Sequence, residues 1–220
     1  MWRGRLARAT ERGNWGISMS ISTQGVTDLG EAAAAVAERV RPSVVEVRLP
    51  GRGVGAGTIW SSDGTIVTNH HVVLGDRAGV RLADGRVFPA DVVARDPGND
   101  LAVLRVPASD LPAAVIGDAR GLRVGELVLA VGHPFGLRGA VSIGVVSEAL
   151  PQGAGPSREL VRADVLLGPG NSGGPLTDAL GRVVGINAMV NGGLALAVPS
   201  HLVERLLARA RAAPAQDRAA

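Results

Sequence analysis

Short runs of Val, Ile, Leu and Ala, interrupted by Gly, Pro, Asp and Ser, fill the chain from about residue 44 to residue 198. Apolar runs of this length between turn residues predict β-strands. Asp-Gly pairs at 63–64 and 84–85 are typical of hairpin turns. The pattern predicts eleven strands: 44–49, 56–60, 65–68, 79–82, 87–94, 101–106, 127–132, 140–149, 160–163, 183–190 and 194–198.

Helical patterns occur only at the two ends of this region. Residues 28–40 are predicted to form a short helix, because Asp28 can cap it and Glu31 completes a capping box. Pro42 ends this helix. A closing helix is predicted over 199–211, where five apolar residues share one face: Leu202, Val203, Leu206, Leu207 and Ala210.

The strands fall into two groups, separated by a crossing near residues 107–125 that contains two prolines and three glycines. We therefore expect one domain over 25–212, with a first barrel at about 43–110 and a second at about 120–198. The closing helix completes the domain. Residues 1–24 are expected to be a disordered arm or a misassigned start, and 213–220 a disordered tail.

The chain has no cysteine, which excludes disulfides and thiolate metal sites and fits a reducing compartment. The first residues are rich in Arg and lack an apolar segment, so no signal peptide is visible. No apolar run is long enough to span a membrane. These features predict a cytoplasmic protein, or an exported one if the start is misassigned.

The high pI of about 11.0 raises the alternative of a nucleic-acid binder. The basic excess is confined to the two ends, because residues 13–203 hold 15 Arg against 17 acidic residues. A solvated, frayed terminus accounts for this distribution better than a binding surface does. We therefore expect no nucleic-acid partner.

The segment 168–176 places four glycines around a single serine, Ser172. So many glycines are entropically costly unless the backbone takes unusual angles and a ligand approaches closely. In such a loop the N–H groups of Gly170 and Ser172 can point into one small space, beside the serine hydroxyl. The alternative is a glycine-rich hairpin with an incidental serine.

A nucleophilic serine needs a base and a group that orients the base. Of four histidines, His71 follows a strand directly, and Asp100 opens another apolar strand. Taken alone, His71 could be a strand-end residue and Asp100 a turn residue. The order His, Asp, Ser at strand edges favours a catalytic triad.

Several segments resemble the protease domain of the HtrA/DegP family of chymotrypsin-fold serine proteases, over about residues 35–205. The resemblance implies an all-β fold of two six-stranded antiparallel barrels with a cleft between them. It also implies a homotrimer, to which Trp2 and Trp15 in the N-terminal arm could contribute. The matching segments are 55–59, 62–73, 100–104, 122–126, 131–136, 170–176, 184–187 and 196–200.

The resemblance assigns roles to the candidate residues. His71 is the general base, Asp100 orients it, Ser172 is the nucleophile, and the amides of Gly170 and Ser172 form the oxyanion hole. No metal or organic cofactor is needed. The residues expected to bind substrate, with a preference for small or medium aliphatic side chains, are Leu167, Asn187, Ala188 and Val190.

The sequence departs from the family pattern at three points. Gly168 and His133 each replace an asparagine, and no PDZ module is expected after the protease domain. The predicted function is a serine endopeptidase acting on unfolded or misfolded polypeptides in protein quality control. The alternative is a catalytically silent peptide-binding or chaperone-like protein on the same fold.

Overall fold

Twelve strands and two long helices make up the part of the chain that the computed structural model describes, namely residues 23–48, 54–148 and 159–212. Helix α1 spans Thr23–Val40 and helix α2 spans Ser200–Ala212. The strands of the first half are β1 Val44–Arg48, β2 Val54–Ser61, β3 Thr65–Thr68, β4 Arg77–Arg81, β5 Val87–Asp96 and β6 Leu101–Arg105. Those of the second half are β7 Leu127–Gly132, β8 Ala140–Glu148, β9 Val161–Asp164, β10 Pro175–Asp178, β11 Val183–Asn191 and β12 Leu194–Pro199.

The strands close into two antiparallel barrels of six, which confirms the predicted fold class. Barrel one has the order β1-β2-β3-β6-β5-β4, and barrel two has the order β7-β8-β9-β12-β11-β10. If the six strands of each barrel are counted in chain order, both barrels have the same order, 1-2-3-6-5-4. Closure leaves neither sheet with a free edge.

Aliphatic side chains of modest size fill each barrel, as expected for a chain with 2% aromatic residues. The core of barrel one includes Val47, Ile59, Ile66 and Leu104, each at most 1% exposed. The core of barrel two includes Leu176 and several smaller residues. Small and branched side chains suit the narrow interior of a six-stranded barrel.

The helices seal the junction between the barrels. On α2, Leu202, Val203, Leu206 and Leu207 pack in one cluster with residues of both barrels, including Leu101 and Ile186. Helix α1 places Val36 and Val40 against β1, β2 and β7. The predicted apolar face of the closing helix is thus the face that it buries.

Two elements differ from the sequence prediction. Helix α1 begins at Thr23, five residues before the predicted cap at Asp28, so the helix continues through the expected capping position. Strand β10 was not predicted, because its four residues follow a glycine-rich loop directly and begin with proline.

Residues 1–22 and 213–220, which include Trp2, Trp15 and most of the expected terminal segments, lie outside the described residues. No helix in the described part is both long and apolar enough to cross a bilayer.

Candidate active site

The structure brings His71 and Asp100 together at the edge of barrel one. His71 Nδ1 lies 2.8 Å from Asp100 Oδ2, and the backbone N–H of His71 donates to Asp100 Oδ1 at 3.0 Å. The aspartate is 7% exposed, whereas the histidine side chain is about half exposed. An ionised carboxylate accepts from Nδ1–H, so this arrangement leaves Nε2 as the basic nitrogen.

The tight turn before β6 fixes the carboxylate of Asp100. Asp100 adopts φ 57°, which Asp and Asn tolerate better than most residues. Its backbone carbonyl accepts hydrogen bonds from His70 N–H and from the Asn69 side chain, at 3.2 and 2.9 Å. The turn also contains Asp96, whose carboxylate pairs with Arg209 of α2 at 2.6 Å. Both ends of this turn are therefore tied to other elements.

Arg95 of β5 fastens the segment that follows His71. Its guanidinium donates to the carbonyl of Val73 and, at 2.6 Å, to that of Gly75. The same guanidinium lies 3.3 Å from Nδ1 of His70. Since this segment leads directly away from His71, Arg95 restricts where the imidazole can lie. No local pattern in the sequence identifies Arg95, because the residues that it contacts here lie 20 to 25 positions earlier in the chain.

The loop that carries Ser172 belongs to barrel two, yet it is bonded to barrel one. The N–H of Ala56 donates to the Ser172 carbonyl at 2.8 Å, and Thr58 Oγ1 donates to the Gly173 carbonyl at 3.2 Å. Thr68, three residues before His71, donates to the Ala56 carbonyl at 2.7 Å. These bonds hold the serine loop and the histidine segment on the same strand pair.

Glycine is required at position 173 for two reasons. Its φ of +89° lies in the left-handed region, and an added Cβ would overlap the carbonyl oxygen of Ala56 and the hydroxyl of Thr68. The N–H of Gly173 also donates to the carbonyl of Asn187 at 2.9 Å. The close approach of the two barrels at this point therefore depends on the missing side chain.

Residues 168–171 form a turn closed by a 3.0 Å bond from Asn171 N–H to the Gly168 carbonyl. Pro169 in second place and Gly170 in third, with φ +105°, are the features of a type II turn. The Pro169 carbonyl accepts from Phe135 N–H at 3.0 Å. Because the two groups of a trans peptide point in opposite directions, the N–H of Gly170 points away from Phe135.

The side-chain hydroxyl of Ser172 makes a contact that the sequence did not indicate. Its Oγ donates to the carbonyl of Ala188 at 2.9 Å, and the structure contains no hydrogen bond between Ser172 and His71. The Ala188 carbonyl is available because the pairing of β11 with β12 shifts register between Asn187 and Met189. Bulges of this kind often redirect groups next to active sites.

A cavity of about 220 Å³ opens beside Ser172. Its walls include Leu167, Ala188 and Val190, three of the residues that were predicted to bind substrate. Met189, which the prediction omitted, also lines it and is 41% exposed. The cavity is therefore mainly aliphatic and has no charged group in its wall.

Asn187, the fourth predicted substrate-binding residue, is not among the residues that line the cavity. It is fully buried, and its side chain donates to the Pro175 carbonyl at 2.9 Å. Its backbone N–H donates to Gly174 and its carbonyl accepts from Gly173, both at 2.9 Å. Through these bonds Asn187 supports the serine loop.

His133, which replaces the family's asparagine, lies directly behind the serine loop. Its backbone N–H donates to the Gly170 carbonyl at 3.0 Å, and its Nδ1 accepts from Gly139 N–H at 3.1 Å. Burial lowers the pKa of His133, although the Val45 carbonyl and the charge on Glu46 oppose this shift. The imidazole is therefore neutral at pH 7, with its proton on Nε2.

Gly168, the other departure from the family pattern, packs against an aromatic ring. A Cβ at this position would lie 2.9 Å from Cε2 of Phe135. The ring is 79% exposed and can rotate, so the contact permits a side chain at position 168.

Among the described residues, no group of three His, Asp or Glu side chains could hold a metal ion.

Comparisons with known proteins agree with this architecture. The family model for the trypsin-like peptidase domain matches residues 55–186. A probable periplasmic serine endoprotease DegP-like of Chlamydia trachomatis is 39% identical over 167 residues, which are 70% of this chain and 33% of that protein. The probable periplasmic serine endoprotease DegP-like of Halomonas elongata is 44% identical over 143 residues, which are 63% of this chain and 30% of that protein. The chain thus spans about a third of the length of these relatives.

Solved structures give the same result. The HtrA-type protease AlgW with a tripeptide superposes with a TM-score of 0.73 and 34% identity, over 80% of this chain and 62% of that one. AlgW with a decapeptide gives a TM-score of 0.73 and 29% identity, over 81% and 67% of the two chains.

The predicted cytoplasmic location is contradicted by these relatives, which are named periplasmic proteins. That prediction depended on the first residues of the sequence and on the absence of cysteine. Neither feature determines the compartment, because a protease domain without disulfides can fold on either side of a membrane. The family model, the relatives and the solved structures agree with the two-barrel fold, and the chain therefore belongs to the trypsin-like peptidase family and, within it, to the HtrA/DegP group.

Proposed function

We propose that this chain is a serine endopeptidase that cleaves unfolded or misfolded polypeptides, with Ser172, His71 and Asp100 as its catalytic triad. The observation that carries the proposal is the His71 Nδ1–Asp100 Oδ2 contact of 2.8 Å beside the loop of Ser172. A carboxylate on Nδ1 fixes the tautomer whose Nε2 can accept a proton. The names of the HtrA-type relatives support the same reaction class.

The reaction begins when the Ser172 hydroxyl exchanges its bond to the Ala188 carbonyl for one to His71 Nε2. Oγ then attacks the substrate carbonyl carbon while its proton passes to Nε2, and Asp100 stabilises the imidazolium. His71 returns the proton to the leaving amine, and water hydrolyses the acyl-enzyme by the same steps.

The amides of Gly170 and Ser172 are proposed to bind the oxygen that becomes negative in the tetrahedral intermediate. The orientation of the Gly170 N–H away from Phe135 supports this role. Each such donor is worth about 3 kcal/mol of transition-state stabilisation. The type II turn at 168–171 thus presets a donor that an active site needs.

The substrate side chain next to the cleaved bond is proposed to enter the 220 Å³ cavity. Its aliphatic wall of Leu167, Ala188 and Val190 favours Ala, Val or Leu and disfavours Lys or Arg. A charged side chain would lose its hydration there without gaining a partner.

The test is digestion of a permanently unfolded protein such as reduced casein. The wild-type protein is expected to degrade it, with Ala, Val or Leu on the amino side of most new termini. Ser172→Ala should lose at least about 10³-fold in rate. Equal rates for the two proteins would exclude Ser172 as the nucleophile.

A second function is favoured by one observation, the bond from Ser172 to Ala188. If this rotamer is locked, the cleft binds peptides without cutting them, as in a chaperone-like protein. Casein would then co-migrate with the protein in gel filtration and remain intact. Turnover that disappears with Ser172→Ala excludes this alternative.

Assembly and location are separate proposals. A homotrimer is expected from the family, and light scattering that shows a monomer at micromolar concentration would contradict it. Export from the cytoplasm is proposed from the periplasmic names of the relatives. Fractionation of the source cells tests it.

A further inference from the structure

A second cavity, of about 450 Å³, lies where the start of β1, the end of β4 and the loop after β7 meet. It is therefore bordered by both barrels, as ligand pockets often are. None of the residues that line it belongs to the cavity beside Ser172. We call it the arginine cavity, after Arg41, Arg81 and Arg138 in its wall.

The charges of the arginine cavity are unbalanced. Three guanidinium groups face one carboxylate, that of Glu46, and the neutral His133. Glu46 pairs with Arg48 at 2.7 Å and lies 3.6 Å from Arg81 Nε. Within the described residues, neither Arg41 nor Arg138 has a carboxylate at ion-pairing distance. Two unpaired cations on one concave surface attract an anion.

Two buried polar atoms beneath the arginines, Glu46 Oε2 and His133 Nε2, lack a well-formed hydrogen bond, although Oε2 lies 3.6 Å from Arg81 Nε. The Glu46 side chain is 5% exposed, and its Oε2 has no hydrogen bond. His133 is 6% exposed, and its Nε2 makes no well-formed hydrogen bond, although the Val45 carbonyl lies close enough to raise the pKa of the imidazole. Buried polar groups usually have a hydrogen-bond partner, and a buried group without one is unfavourable. The cavity therefore offers a donor and an acceptor as well as positive charge.

A ligand that matches all three features is an anion with its own hydroxyl group. Its charged oxygens can accept from Arg41, Arg138 and His133 Nε2–H, as arginine binds oxygen anions. Its hydroxyl can donate to Glu46 Oε2. An anion without a hydroxyl would instead bring a bare negative oxygen toward a carboxylate.

The arginine cavity is connected to the serine loop through the backbone of His133. The His133 N–H bonds the Gly170 carbonyl, and an added Cβ on Gly170 would overlap the His133 carbonyl oxygen. A ligand that binds the imidazole of His133 therefore contacts the same residue against which Gly170 packs. No intervening side chain is needed.

We propose that the arginine cavity binds a small oxygen anion that carries a hydroxyl group, with hydrogen phosphate as the simplest example, and that this anion biases the conformation of the Gly170 turn. The binding site is independent of the protease activity. Only an effect of the anion on cleavage rests on the function proposed above.

The test uses Ser172→Ala protein, which cannot digest itself, titrated with inorganic phosphate at neutral pH and constant ionic strength. Calorimetry should show saturable binding at one site. The Arg41→Gln/Arg138→Gln double variant should bind about 100-fold more weakly, on the basis of about tenfold for each charged hydrogen bond lost. The matched control is Arg77→Gln/Arg123→Gln, which removes two arginines that are 87% and 83% exposed and lie outside the cavity. The control should bind like the parent.

Sulfate, which has no hydroxyl at neutral pH, should bind at least about tenfold more weakly than phosphate. The amide NMR signals of Gly170 and Asn171 should move with phosphate in the parent and stay fixed in the double variant. Absence of saturable binding, or equal affinity in the double variant, overturns the site. Equal affinity for sulfate overturns the hydroxyl requirement, and unmoved Gly170 signals overturn the coupling. None of these readouts depends on catalysis.

Discussion

Barrel one holds His71 and Asp100 mainly through side-chain hydrogen bonds, whereas barrel two holds Ser172 mainly through backbone bonds and glycines. Asn69, Arg95 and the Asp96–Arg209 pair all support the first half of the site from different elements. In the second half, close backbone contacts at Gly170 and Gly173 take their place. Substitutions should therefore impair the two halves differently. The first half should be sensitive to the loss of a charge or a hydrogen bond, and the second half to side-chain atoms added at its glycines.

The largest expected effect comes from removing the charge in barrel one. Asp100→Asn keeps the side-chain size and tolerates φ 57°. It no longer fixes the Nδ1–H tautomer of His71, so kcat should fall by about 10⁴-fold. Peptide cleavage rates of both proteins measure the change in kcat. Urea unfolding of both proteins shows whether the substitution also changes stability. A loss below tenfold would contradict the role of Asp100.

A pair of glycine substitutions tests barrel two. Gly173→Ala places a methyl against backbone atoms at φ +89° and should lower the free energy of unfolding by at least about 2 kcal/mol. Gly168→Ala meets only the exposed Phe135 ring and should change it by less than about 0.5 kcal/mol. Urea unfolding measures both variants. Similar values would show that close backbone packing does not set this half of the site.

Arg95→Gln tests whether barrel one depends on a residue outside the triad. It removes the bonds to the Val73 and Gly75 carbonyls, and kcat should fall about tenfold with KM nearly unchanged. Arg77→Gln, on the adjacent strand β4, removes an 87% exposed arginine and should leave both constants unchanged. A rise in KM alone would indicate a role in binding rather than in positioning His71.

The smallest effect concerns His133 and pH. Burial lowers the pKa of His133 in the folded protein below its unfolded value of 6.5. At a pH between the folded and unfolded pKa values, the unfolded protein therefore binds more protons than the folded one. Stability from this group is complete above pH 6.5 and falls as the pH drops toward the folded pKa. Glu46, Arg138, Arg41 and Arg81 surround the imidazole. His133→Asn should lose less stability than wild type between pH 7.5 and 5.5, as urea unfolding would show. An equal loss would contradict a buried neutral histidine.

The strand pattern predicted most of the fold, because eleven of the twelve strands carry apolar runs bounded by turn residues. Strand β10 was missed because it follows the glycine-rich loop directly and begins with Pro175. The start of α1 was misplaced because Asp28 suits both a cap and a helix interior. The two barrels were predicted from the grouping of the strands, and their six-stranded antiparallel form came from the family resemblance. The strand pairing confirms this fold class.

The candidate site was less fully predictable. His71, Asp100 and Ser172 follow from residue type, order and strand edges. The support from Arg95 and the burial of Asn187 depend on contacts between distant segments, which no local pattern records. The orientation of the Ser172 hydroxyl depends on one bulge in β11, and a bulge leaves no mark in the apolar pattern.

We propose that the two halves form one working site around Ser172. Reaction with a fluorophosphonate followed by peptide mass spectrometry tests it directly, because only an activated serine near an oxyanion hole reacts quickly. We predict a single adduct on Ser172 in wild-type protein, at least about 10²-fold slower formation in Asp100→Asn, and none in Ser172→Ala. An unlabelled wild-type protein, or equal labelling of Ser172→Ala, would contradict the proposed function.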